Sequence, residues 1–139
     1  MFKHLLIPTD FSDVAEKGLN MALRFSEPGH TQITLLHVIE SIAHLSEEEN
    51  REFYDKLEDR SRTKMGEIAQ ALSEKGYEVV CRQVIGKRIE QIVGIAAELQ
   101  VDGVVMGSRT MDLERPTLGL HSISHMVASL AQCTVILAR

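Results

Sequence analysis

The chain has no tryptophan, two cysteines and three prolines, and aromatic residues make up only 4% of its 139 positions. It also lacks the basic excess that a nucleic-acid-binding face requires. Its formal charge is −5, which argues against nucleic acid as a partner. No apolar run approaches the roughly 20 residues that a membrane span needs. The opening MFKHLLIPTDF reaches proline and aspartate too soon for a secretory signal, so the expected compartment is the cytosol. Cys81 and Cys133 lie far apart in apolar runs. In a reducing compartment both are expected to be small buried hydrophobes, not a disulfide or a metal pair. There is no glycine-lysine phosphate loop, no Cys-x-x-Cys and no Gly-x-Ser-x-Gly elbow. Internal repeats and low-complexity tracts are absent as well.

What remains is a globular mixture, 44% apolar and 25% charged, in a length suited to one domain spanning residues 1–139. Apolar runs at residues 2–8, 32–39, 78–85, 101–106 and 133–138 read as strands. Between them lie helical patterns. The first opens at Ser12, a natural N-cap followed by Asp13 and Glu16, and stops before Pro28 and Gly29. A second is expected over residues 47–75, with Phe53, Leu57, Met65, Ile68 and Leu72 on its core face and Gly76 at its end. A third carries Ile89, Ile92, Val93, Ala96 and Leu99. The fourth carries Ile123, Met126, Val127 and Leu130. Strands alternating with helices imply a parallel sheet with helices on both faces. The expected fold is α/β: a five-stranded, doubly wound sheet of order 3-2-1-4-5. In such sheets ligands bind beyond the carboxyl ends of the strands where the order reverses. Here that is between the first and fourth strands, at Pro8-Thr9-Asp10-Phe11 and Gly107-Ser108-Arg109-Thr110.

The stretch MGSRTMDLERPTLGLHSISHM leaves a strand through Gly107 and enters a helix behind Ser122. A helix start presents backbone N–H groups to an anion. Ser122 and Ser124 add hydroxyls, and Asp10 can accept from ribose hydroxyls or help to hold a divalent cation such as Mg. Each residue also has a purely structural reading: Ser122 as an N-cap, Asp10 as an Asx-turn, Gly107 as a turn residue. His121 and His125 stand four apart, which suits a metal, but no third ligand is evident and none is expected. His4 and His37 are expected to be packed or capped within strands. Met21, Met65 and Met126 are read as core fillers.

The segments HLLIPTDFSDVAEKGLNMALRFSE, LLHVIE, VDGVVMGSR and HSISHMVASLAQCTVILA, in this order, resemble universal stress proteins. The likeness covers the chain except for residues 41–60. It implies the same fold, a homodimer formed through the last strand at residues 133–138, and either adenine-nucleotide binding or none, since the family has both kinds of member. In binding members the signature is Gly, two residues, Gly, nine residues, Gly, then Ser or Thr. Gly107 matches its first glycine and Ser122 its final hydroxyl residue. Thr110 replaces the second glycine, His121 stands in place of the third with one extra residue in the loop, and Gly119 is out of register. The resemblance places ribose on Asp10 and Gly107. Adenine would lie among Pro8, Val38 and Met106, with the Val38 backbone reading the base edge. Phosphates would face Thr110, Ser122, Ile123 and Ser124.

Thr9 belongs to the same loop. Arg109, Arg115 and His121 can supply charge where glycines are missing, and Pro116 stiffens that loop. If Thr110 or His121 needs a left-handed backbone, the cost is about 1 kcal/mol or more. The expected function is a regulatory module that binds ATP or another adenine nucleotide without fast turnover. The rival readings are a nucleotide-free dimer acting on an unknown protein partner through its acidic 41–60 segment, and a transferase or hydrolase with no visible catalytic set. On this reading Gly107→Val removes nucleotide affinity with little loss of folding.

Overall fold

The computed structural model describes residues 1–110, 113–114 and 122–139. The expectations placed on Arg115, Pro116, Gly119 and His121 lie outside these residues. Strands and helices alternate: β1 (His4–Pro8), α1 (Asp13–Arg24), β2 (Gln32–Glu40), α2 (Arg51–Glu74), β3 (Glu78–Gly86), α3 (Arg88–Glu98), β4 (Gly103–Gly107), α4 (Ile123–Leu130) and β5 (Thr134–Ala138). The five strands form one sheet of order β3-β2-β1-β4-β5. Every pairing is parallel. The expected architecture holds.

Strand periodicity explains the two layers. Leu6, Leu36, Val38, Val104 and Met106 point to one face, where Ile92, Ile95 and Ala96 of α3 and Val127 of α4 cover them. Leu5, Ile7, Ile33, Leu35 and Val105 point to the other, against Ala22 of α1 and Met65 of α2. Successive side chains of a strand alternate between faces, so strands covered on both sides carry consecutive apolar residues, as Leu5, Leu6 and Ile7 of β1, Leu35 and Leu36 of β2, and Val104, Val105 and Met106 of β4 do. Helix α1 starts as expected. Ser12 Oγ accepts from the Ala15 N–H at 3.2 Å, and Asp13 and Glu16 occupy the first turn. A second clamp joins β1 to β4. The Asp102 carboxylate accepts from the Lys3 and His4 backbone N–H groups, each at 2.7 Å.

Four expectations need correction. Cys81 is exposed, because it lies on β3, a sheet edge paired only with β2; Cys133 is half-buried and precedes β5. Helix α2 begins at Arg51, not near residue 47, and its first core residue is Tyr54 instead of Phe53. Phe53 is 42% exposed, whereas Tyr54 is fully buried. The cause is a tether: the Tyr54 hydroxyl donates to the Leu45 carbonyl at 2.6 Å and accepts from the Ile42 N–H at 3.2 Å. That turns Tyr54 inward and closes the preceding segment over it. Helix α1, by contrast, ends as expected, at Arg24 with Phe25 as its cap, ahead of the Pro28–Gly29 pair. Leu130, at the end of α4, is half exposed.

Candidate functional site

At the carboxyl ends of β1 and β4, where the strand order reverses, the sheet opens into a cavity of about 510 Å³. Its apolar half is made by Pro8, Leu36, Val38, Ile92 and Met106. Its polar half is made by Thr9, Asp10 and Ser12 from the first loop, by Gly107, Ser108, Arg109 and Thr110 from the fourth, and by Ser122, Ile123, Ser124 and His125 from the start of α4. Ligand sites commonly enclose about 300–1,000 Å³. The structure thus brings together every proposed site residue that it describes; His121 lies outside the described residues.

The first loop is tied down locally. The Thr9 N–H donates to the Leu36 carbonyl at 2.8 Å. Thr9 Oγ1 accepts from the Phe11 N–H at 3.0 Å. Phe11 is left-handed, with φ of 67°, a conformation that costs a residue with a Cβ about 1 kcal/mol or more. Its ring rests on the His37 imidazole at 4.6 Å, and Lys64 lies 5.4 Å above it. His37 Nδ1 donates to the Thr9 carbonyl at 2.8 Å. Burial, more than any neighbouring charge, pushes the His37 pKa below 6.5.

Asp10 is both an Asx-turn and a cavity group. Its Oδ1 accepts from the Ser12 N–H at 3.0 Å and from the Ser12 hydroxyl. Partial burial pushes its pKa up, but the Ser12 bonds and the Arg88 charge outweigh that and hold it below 3.8. It is a carboxylate at neutral pH, and Oδ2 makes no hydrogen bond among the described residues. That oxygen can accept from a ribose hydroxyl.

Gly107 also differs from its expected role. It needs no positive φ. A Cβ placed on it would sit 1.7 Å from the Val14 carbonyl oxygen, and one on Gly18 would sit 2.5 Å from the Gly107 nitrogen. The glycine therefore lets α1 pack against β4. The expectation that Gly107→Val spares folding is overturned: a valine there collides with backbone. Thr110 causes no backbone strain either, because the non-glycine residues with positive φ among those described are Phe11 and Gln100.

At α4 the hydroxyls already have partners. Ser122 caps the helix, accepting from the His125 N–H at 3.3 Å, and its hydroxyl bonds the His125 imidazole. Ser124 Oγ donates to Ser108 Oγ at 2.9 Å. Both Ser108 and Ser124 are buried, at 4% and 6% exposure. Among the described residues no cluster of three metal-ligating side chains occurs, and His125 is spent on Ser122.

Sequence reasoning missed Arg88. It stands in the first turn of α3, one turn before Ile92, and lines the cavity. Glu40 faces it at 3.7 Å, too far for a hydrogen bond. The signal was faint: a lone arginine after Gly86-Lys87 reads as a surface residue until the topology places α3 over the crevice.

The family model for the universal stress protein family matches residues 1–139. Universal stress protein MJ0577 of Methanocaldococcus jannaschii is 34% identical over 125 residues, covering 78% of this chain and 77% of that protein. The solved structure of MJ0577 superposes with a TM-score of 0.84 at 33% identity, covering 99% of this chain and 96% of that one. More distant solved structures share the fold. One is an Arabidopsis thaliana family member with AMP bound (TM-score 0.74, 19% identity, 98% and 90% covered). Another is a universal stress protein in complex with cAMP (TM-score 0.68, 16% identity, 99% and 97% covered). The chain belongs to the universal stress protein family.

Proposed function

We infer that this protein is a stress-response module that binds an adenine nucleotide, ATP foremost, in the cavity between β1 and β4, without fast turnover. One observation carries the reading: the switch-point cavity joins an apolar half to an ionised Asp10, with the start of α4 opposite. The base packs among Pro8, Val38, Ile92 and Met106. Ribose hydroxyls donate to Asp10, and the phosphates face Thr110 and the N–H groups of Ile123 and Ser124. Arg109 adds positive charge at that end, and Mg enters only with the phosphates. That relatives of this fold carry AMP or cAMP supports the ligand class. The setting is cytosolic; no helix of the described residues is long and apolar enough to cross a membrane.

The module works as a homodimer. Strand β5 is a sheet edge, and an apolar edge left bare is a pairing liability; a second β5 across a two-fold axis covers it. Sedimentation at micromolar concentration is expected to show a dimer, and a monomer refutes it. The ligand is tested by calorimetric titration with ATP, ADP and AMP, with and without magnesium. Saturable heat from at least one is expected. Silence from all of them refutes nucleotide binding and leaves a nucleotide-free interaction module.

A further inference from the structure

Close packing at Gly107 also sets where three cations stand. Gly18 and Gly107 bring α1 directly onto β4, so Lys17 of α1 lies beside the chain that leaves β4. The Ser108 N–H donates to the Ala138 carbonyl at 2.7 Å, which carries the β4–β5 ladder one residue past Gly107. Arg109 and Arg139 therefore leave the sheet side by side. Lys17, Arg109 and Arg139, with Val14, Ser108 and Thr110, line a hollow of about 370 Å³. It is not the phosphate end of the nucleotide cavity. No residue of α4 lines the hollow, and neither Lys17 nor Arg139 lines the cavity. The two share Val14 and the Ser108–Thr110 segment.

No acidic side chain lines the hollow; Asp13 and Glu16 of the same helix are not part of it. Among the described residues no carboxylate pairs with any of the three cations, whereas Arg51, Arg62, Arg82 and Arg88 each have one. Three like charges, drawn from separate parts of a chain of net charge −5, repel one another, and a polyvalent anion among them relieves that repulsion. A guanidinium fork matches phosphate oxygens two at a time, and a lysine adds a point charge. We propose that this hollow is a second phosphate-binding site, which takes a polyvalent anion of pyrophosphate size beside the nucleotide cavity. Two sources supply that chemistry. One is a free anion; the other is the outer phosphates of a nucleotide in the cavity, reaching over the shared Ser108–Thr110 segment. The first stands without the nucleotide reading, and the second rests on it.

The test is calorimetric titration of the full chain with pyrophosphate, ATP and adenosine. The variants are Lys17→Gln, Arg139→Gln, the two combined, and Lys75→Gln as a control. Lys75 caps the end of α2 just before β3 begins, at the opposite end of the sheet, so it removes the same charge far from the hollow. Lys17 and Arg139 are exposed, and thermal unfolding should be unchanged. Pyrophosphate is expected to bind wild type saturably, and more weakly as salt is raised. Each single hollow variant should lose about threefold to fivefold, and the double roughly tenfold, as loss of exposed ion pairs allows. Lys75→Gln should behave as wild type, and adenosine should lose nothing. ATP then names the source: an equal loss in the double variant assigns the anion to the nucleotide's own phosphates, and an unchanged ATP affinity assigns it to a free anion. The site is overturned if pyrophosphate and ATP each treat the double variant as wild type, silence from both included. It is also overturned if Lys75→Gln or adenosine shows the same loss. Wild type binding neither ATP nor adenosine removes the nucleotide reading and leaves pyrophosphate to decide the hollow alone.

Discussion

Gly107 lies against the Val14 carbonyl so closely that a Cβ would come within 1.7 Å of that oxygen. Backbone on both sides leaves no flexible side chain to give way. Gly107→Ala must therefore separate α1 from β4 or bend the strand. Overpacking of a tight interior costs about 1–3 kcal/mol and occasionally more. The upper end is expected here, seen as a lower urea midpoint with no ligand present. A variant as stable as wild type would show that the two elements part easily. Any nucleotide affinity measured on it must be judged against its folded fraction.

Asp10 offers a cleaner probe of the cavity. Asp10→Asn keeps Oδ1 as acceptor for Ser12 and so preserves the turn, but it removes the charge that ribose hydroxyls would meet. Hydrogen bonds to charged groups are worth about 1.5–3 kcal/mol. Affinity for a ribonucleotide should fall by roughly tenfold to a hundredfold. A 2′,3′-dideoxy nucleotide, which has no hydroxyl to give, should bind variant and wild type alike. An equal loss for both ligands would remove Asp10 from the ribose.

These residues show what could be read from the sequence alone. The alternation of strands and helices, and with it the switch point and both loops, was legible because burial on two faces gives β1, β2 and β4 consecutive apolar residues. The structural readings of Asp10 as an Asx-turn and Ser122 as an N-cap hold, and both residues also line the cavity. The role of Gly107 was hidden because close packing of a helix on a strand leaves no mark on a single glycine. Tyr54 displaced Phe53 from the core through hydrogen bonds to Ile42 and Leu45, contacts made over 9 and 12 residues that helical spacing does not encode. Arg88 was invisible for a related reason: its neighbours Asp10 and Glu40 come from the loop after β1 and the end of β2.

Arg88 holds its guanidinium at the cavity wall, one turn before Ile92, with Glu40 3.7 Å away. Its charge helps to keep Asp10 ionised, and a planar cation beside a purine compartment can stack on the base. Arg88→Gln is expected to raise the Asp10 pKa, followed by carboxyl NMR titration. It should also weaken adenosine and ATP by the same factor, about fivefold, as loss of roughly 1 kcal/mol of stacking implies. Equal losses would place Arg88 at the base and not at the phosphates. An unmoved Asp10 titration would show that the two groups do not communicate.

His37 should make stability depend on pH just below neutrality. Folding lowers its pKa from 6.5, because burial penalises the imidazolium more than the Thr9 bond favours it, and Arg88 and Lys64 add repulsion. His4, bonded to Thr34 Oγ1 at 2.7 Å, is lowered too, burial outweighing the attraction of Asp102. The unfolded chain then binds more protons than the folded one as pH falls through 6.5, so stability must fall with it. The contribution is complete above about pH 7.5 and is lost progressively from about 6.5 down to the lowered folded values. Asp10 and Asp102 act in a separate window, below 3.8, where protonation breaks the bonds that depress their pKa values. Urea midpoints measured at pH 7.5, 6.5 and 5.5 should decline in that order, and His37→Gln should flatten part of the decline. A midpoint that holds steady or rises between pH 7.5 and 5.5 would mean that His37 carries its proton in the folded state, and that the Phe11 ring rests on a cation.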